Sequence, residues 1–210
     1  MHYSFCDKVI MAIDTGLNTI AAKHIATREY PAEKIKEADL SNSETKHIAG
    51  LMRVNHAGEI AAQALYLGQA ITARNQLIRE KMQTAASEEI DHLAWCETRL
   101  EELNSHISYL APIWFAGSFA IGTIAGIIGD AWNLGFVAET EKQVVKHLET
   151  HLNDIPQKDQ RTRKILAQMR DDEAHHQAMA MEAGAKKLPR PVNHLMGLIS
   201  TIMTKTAYHV

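Results

Sequence analysis

Ser87–Leu100 reads SEEIDHLAWCETRL and Met169–Ala180 reads MRDDEAHHQAMA, and each carries a Glu followed three residues later by a His: Glu89–His92 and Glu173–His176. At that spacing two side chains share one face of an α-helix, so carboxylate and imidazole point the same way. Alone the pattern is weak. With 16 Glu and 12 His in 210 residues, about one Glu-x-x-His pair arises by chance, and the chain contains three. The third, Glu44–His47, opens a long helical stretch without a matching partner and reads as the accidental one.

Two further glutamates lift the other pairs above accident. Glu59, in RVNHAGEIAAQAL, precedes Glu89 by 30 residues, and Glu141, in FVAETEKQVVKHL, precedes Glu173 by 32. The chain therefore repeats itself: helix with one Glu, turn, antiparallel helix with Glu-x-x-His, the halves being offset by 82 residues at the first Glu and 84 at the second. Two helices running back about 15 residues from a shared turn return the second ligand to the level of the first. The spacing predicts an all-α, ferritin-like four-helix bundle with Glu59, Glu89, His92, Glu141, Glu173 and His176 in one layer.

One Glu from each of two helices and Glu-x-x-His from each of the other two is the donor set of di-iron and di-manganese bundle proteins. Four carboxylates repel when alone and are neutralised by two divalent cations. Oxygen and imidazole donors suit iron or manganese, and the lack of thiolates argues against structural zinc. Glu89 and Glu173 are expected to bridge, Glu59 and Glu141 to cap, and His92 and His176 to take one metal each. Glu139 lies two residues from Glu141 and hence on another helix face, which favours Glu141. Ala57, Ala61, Ala62, Leu65, Ala85, Ala86, Val137 and Ala178 surround these acids, and a carboxylate buried among them needs a counter-charge.

Other residues read more plainly. Glu88, Glu97, Glu101 and Glu102 are expected on solvated faces. Asp91 and Asp172 are candidates for the carboxylates that orient ligating imidazoles, and His175 is expected in that outer layer or in solvent. His147, six residues after Glu141, reads as surface, and Tyr66, Trp95, Tyr109 and Trp132 as core or interface aromatics.

The remaining sequence bounds the class. A 46% hydrophobic and 22% charged composition with 5 Pro and 11 Gly is globular and helical rather than strand-and-turn. A net charge of −3 with scattered Lys and Arg offers no basic stripe, so nucleic acid is not an expected partner. Cys6 and Cys96 form no paired motif, which fits a reducing cytosolic compartment, and the N-terminus shows no cleaved-leader pattern.

Three segments are expected. Residues 1–43 form an accessory helix, patterned by Val9, Ile10, Ile13, Leu17 and Ile20, and a linker with Pro31. Residues 44–187 form the bundle, and 188–210 an apolar C-terminal segment whose final twenty residues carry only Lys205 as a charge. Inside the bundle, residues 107–129 contain no charge and place Gly122 and Gly126 at GxxxG spacing. That length reaches the ~20 residues that span a bilayer, but its Pro and Gly suit an additional helix in the bundle core or the membrane interface equally.

HAGEIAAQALYLGQ, SEEIDHL, ETEKQVVKHL and MRDDEAHH, in that order and with PIWFAGSFAIGTIAGIIG between the halves, resemble the demethoxyubiquinone hydroxylases of ubiquinone biosynthesis over roughly residues 45–185. The resemblance implies a di-iron monooxygenase of bacterial type. It would use O2 and two Fe ions to hydroxylate the demethoxyquinol ring of a polyprenylated ubiquinone precursor, with NADH or the quinol itself supplying electrons. It carries Glu59, Glu89, His92, Glu141, Glu173 and His176 over as iron ligands. His147 matches a His linked in that family to electron or proton delivery, although Leu148 stands where animal members tend to have Tyr. Arg53 and Asn55 fall in the family's Arg-Val-Asp/Asn-His-Ala-Gly-Glu stretch without a ligand role. The resemblance further implies peripheral attachment to the cytoplasmic side of the bacterial inner membrane, with a homo-oligomer or an assembly partner. Ferroxidase or iron-storage bundles, and manganese catalase-like ones, share the ligands but do not need the long uncharged segment.

Overall fold

The computed structural model describes residues 5–210. It consists of seven helices: α1 (Phe5–Ala21), α2 (Asn42–Thr72), α3 (Gln76–Glu102), α4 (Ala111–Ile128), α5 (Asp130–Asp154), α6 (Gln160–Glu182) and α7 (Arg190–Ala207), with no strand among the described residues. The bundle proper is α2, α3, α5 and α6, which matches the repeat. Part of the pattern that predicts α1 rests on Val9 and Ile13, whose side chains, like that of Cys6, lie outside the described residues.

Local chemistry sets the ends. Ser41 and Glu44 form a reciprocal capping box on α2, Asn75 accepts from Leu77 N at the start of α3, and Asp159 accepts from Thr162 N at the start of α6; each satisfies an N–H that the first turn leaves unpaired. The Glu44 of the third Glu-x-x-His pair is thus a cap, and His47 bonds the Tyr208 hydroxyl at 2.7 Å. α5 stops at Ile155, before Pro156. α6 ends at Glu182, five residues before the expected end of the bundle at residue 187, because Gly184 turns left-handed at φ 98°.

Two larger apolar clusters make up most of the core. One contains Ile48, Met52, Trp95, Leu100, Leu148, Ile165 and Met169, and the other Tyr66, Ala70, Ile78, Met82, Leu134, Val137 and Ala180. Along every bundle helix the expected ligands fall between a stretch of one cluster and a stretch of the other, so the polar layer is sealed above and below.

α4 runs beside α2 in the same direction, backbone against backbone. A Cβ on Gly122 would collide with the Leu65 carbonyl, and one on Gly126 with the Thr72 side chain; Gly68 on α2 faces Phe119 O in the same way. The GxxxG spacing therefore mediates close helix packing. α4 is also the one helix among the described residues long and apolar enough to cross a membrane by length and composition, with only 22% of its window buried.

Candidate metal centre

One donor atom each from Glu59, Glu89, His92 and Glu173 lies within 4.8 Å of the others, all four residues being buried. The remaining two expected ligands adjoin this group. His176 Nδ1 is 3.2 Å from Glu173 and 3.3 Å from Glu89, and Glu141, 1% exposed, interacts with Glu173 and accepts from the Tyr66 hydroxyl. His92 Nδ1 lies 2.8 Å from Glu89, 3.1 Å from Glu173 and 3.8 Å from Glu59. Both imidazoles thus aim Nδ1 inward at the same two carboxylates, Glu89 and Glu173, an arrangement related by approximate two-fold symmetry. Glu139 instead faces Lys142 and Gln143 at the surface.

Outside the layer each imidazole is held by the acid that precedes the opposite helix's Glu. His92 Nε2 meets Asp172 at 2.9 Å, and His176 Nε2 meets Glu88. Asp172 was legible as an orienting carboxylate. Glu88, expected in solvent, carries the matching role on the other side; its position relative to Glu89 repeats that of Asp172 relative to Glu173, a signal present in the sequence. Asp91 does not touch an imidazole, and binds Thr27 and Arg28 instead. Glu97 is not on a solvated face either, since it is enclosed between His24 and His56, and Glu102 pairs with Arg99 and Arg161. Glu101, with Lys23, is exposed as expected, and so is His175.

The electrostatics are those of a cation site. Burial, then the neighbouring Glu89, pushes the Glu59 carboxyl well above its ordinary value, and burial, then Glu173, does so for Glu141. Burial would raise Glu89 as well, but His92 and His176 outweigh it and hold that carboxyl below the usual range. Burial would lower both imidazoles, yet the surrounding carboxylates override it: His92 is raised well above its ordinary value and His176 up to about 12. Glu141 Oε2 is buried with no partner, and Glu173 Oε1 and Glu89 Oε1 face only an imidazole Nδ1, at 3.1 and 3.3 Å, a cost that coordination removes. The donor set and this unpartnered oxygen fit a pair of hard divalent cations.

A cavity of about 150 Å³ reaches the layer, walled by α2, α4, α5 and α7; Glu59 and Asn55 line it beside Phe136, His147, Met196, Ile199 and Met203. His147, read from sequence as surface, is half-buried there with Nε2 lacking a partner. Tyr66 is more than a core aromatic because it reaches Glu141. Tyr109 is 71% exposed rather than packed in a core, stacking on His106.

Fold and site together define a helical bundle built around a buried carboxylate–histidine cluster able to hold metal. The chain matches the family model "Ubiquinone biosynthesis protein COQ7" over residues 46–207, and it belongs to that family. Proteins named 3-demethoxyubiquinol 3-hydroxylase are similar to it throughout: one from Legionella pneumophila (strain Corby) is 53% identical, covering 99% of this chain and 98% of its own, and one from Acinetobacter baumannii (strain SDF) is 53% identical, covering 100% and 99%.

Proposed function

We propose that this protein is a 3-demethoxyubiquinol hydroxylase: an O2-dependent monooxygenase of ubiquinone biosynthesis with two irons held by Glu59, Glu89, His92, Glu141, Glu173 and His176. The buried layer of four carboxylates and two histidines, with Glu141 Oε2 left unpartnered, is the observation that carries the reading. When bound, two ferrous ions supply a centre that reacts with O2. One oxygen atom becomes the hydroxyl on the ring and the other leaves as water, so two electrons and two protons are needed, both from a quinol, or the electrons and one proton from NADH with the second proton from solvent.

The chain's own residues supply the rest. Glu89 and Glu173, each close to both imidazoles, would hold the ions together with Glu59 on the His92 side and Glu141 on the His176 side. Asp172 and Glu88 fix the ring orientations. The cavity at Glu59 suits the quinol head: its walls are largely apolar, while Asn55, Thr140, Gln143 and His147 offer a few hydrogen-bonding groups. Its outer wall belongs to α7, which exposes Leu195, Leu198 and Ile202, and α4 exposes Ile113, Ile124, Ile127 and Ile128. That apolar face supports peripheral attachment to a membrane, the cytoplasmic side of the bacterial inner membrane, where a polyprenyl tail stays in lipid. In this reading 1–43 is an N-terminal segment, 44–187 the catalytic bundle and 188–210 the apolar C-terminal segment, and the protein works as a homo-oligomer or with an assembly partner.

The test is the quinone profile of cells lacking the protein, together with metal analysis of the purified chain. Accumulation of a demethoxy precursor and about two irons per chain are expected. An unchanged profile ends the assignment.

A further inference from the structure

The two histidines have mirror-related outer partners, yet only one of those partners is itself held. We propose that Thr27 and Arg28, from the segment preceding the bundle, make the His92 half the stronger of two unequal metal subsites, with Arg28 a positioning residue acting on His92 through Asp172. The inference rests on the two-metal reading of the cluster and goes beyond it.

Arg28 Nη1 donates to Asp172 Oδ2 at 2.8 Å, the same oxygen that meets His92 Nε2 at 2.9 Å. Gln168 holds the other Asp172 oxygen at 3.0 Å. Arg28 Nε donates to Asp91 Oδ2 at 2.7 Å, and Thr27 N to Asp91 Oδ1 at 2.6 Å. Because Asp91 is on α3 and Asp172 on α6, this one guanidinium ties together the two helices that carry the Glu-x-x-His pairs. It also lies 4.7 Å from the centre of the Trp95 ring, which is 5.4 Å from the His92 ring. The imidazole is thereby fixed through both its Nε2 partner and its neighbouring ring.

Nothing comparable stands behind His176. Glu88 has no other hydrogen-bond or ion-pair partner among the described residues, and its side chain is 41% exposed against 16% for Asp172. The outer charges are the same: Asp91, Asp172 and Arg28 sum to −1, and Glu88 alone is −1. The difference between the halves is therefore one of order rather than of field. A solvated Glu loses rotamer freedom when it must hold a ring in place for coordination, whereas Asp172 is already fixed. Outer carboxylates are commonly worth about 10–100-fold in metal affinity, enough to separate two otherwise equal steps. A guanidinium can serve two carboxylates in fixed geometry and an ammonium cannot.

The experiment titrates the full-length, metal-stripped chain with Fe(II) under anaerobic conditions, read by calorimetry. The parent is expected to take up two ions in two resolved steps, the first tighter by about tenfold or more. His176→Ala keeps the tight step and His92→Ala keeps only the weak one. Arg28→Lys and Arg28→Ala weaken the first step by about tenfold and leave the second unchanged, while Glu88→Gln alters the second alone. Added ethylguanidinium restores the first step in Arg28→Ala, and with Co(II) as probe the absorption of the first equivalent shifts in the Arg28 variants while that of the second does not. Equal steps in the parent, or Arg28 variants that weaken both steps alike, overturn the inference. A parent that binds no metal at all overturns the two-metal reading, and this inference with it.

Discussion

His151 lies four residues after His147 on α5, the two rings 3.9 Å apart. Burial, reinforced by His147 and His47, lowers its pKa to about 3, so it is neutral in the folded protein at neutral pH. In the unfolded chain the ordinary value is about 6.5. Between about 3 and 6.5 the unfolded state binds the extra proton, so this contribution to stability is complete above 6.5 and is lost as pH falls through that window. The slope is about 1.4 kcal/mol per pH unit at most. His151→Leu removes the titration, and urea unfolding of the metal-free protein between pH 6.5 and 5 should then depend less steeply on pH than in the parent. Equal slopes would mean that His151 titrates in the fold as it does in solution. At this scale the sequence was most legible for residues named by a spacing. Glu89, His92, Glu173 and His176 follow from i, i+3 geometry. Glu97 did not, because a lone Glu on a polar helix looks the same whether its partner is water or an imidazole on another helix, and Glu88 could be read only from its repeat of the Asp172–Glu173 offset.

Among the elements, α4 is the one whose role turns on single glycines. Replacing Gly by Ala inside a helix ordinarily gains about 0.8–1 kcal/mol of propensity. At Gly117 a Cβ meets nothing within 4 Å, while at Gly122 it meets the Leu65 carbonyl. Gly117→Ala should leave stability equal or higher. Gly122→Ala should destabilise by about 1–3 kcal/mol, as overpacking a tight contact does, seen as a lower urea midpoint at unchanged m. If both variants behave alike, α4 does not rest on α2. The helix itself was legible as a charge-free run from 107 to 129. Its placement along α2 was not, since composition scores a helix that crosses a bilayer and one that lies on a bundle in the same way. The stretch between α1 and α2 shows the opposite case. It reads as a polar linker, yet it sends Thr27 and Arg28 to Asp91 and Asp172 and Glu37 to Arg99.

For the whole molecule, metal and fold are coupled. A bundle whose middle layer holds four carboxylates is stabilised by any cation that binds the folded state alone, by about 4 kcal/mol for a site at a thousandfold excess over Kd. Chelation should lower the thermal midpoint, and re-addition of Fe(II) under reducing conditions should restore it; an unchanged midpoint would contradict a filled centre between the two core clusters. The repeat, the helical class and a buried carboxylate–histidine cluster were readable from the chain alone, because helix periodicity and turn-to-ligand distances are local quantities that a spacing encodes. The tertiary structure decided the rest: a cavity ending on Glu59 with His147 in its wall, and one half of the cluster braced by Arg28 while the other leans on a half-buried Glu88. Those depend on which faces of separate helices meet, and contacts across 144 residues, such as Arg28 to Asp172, leave no period in the sequence to be read.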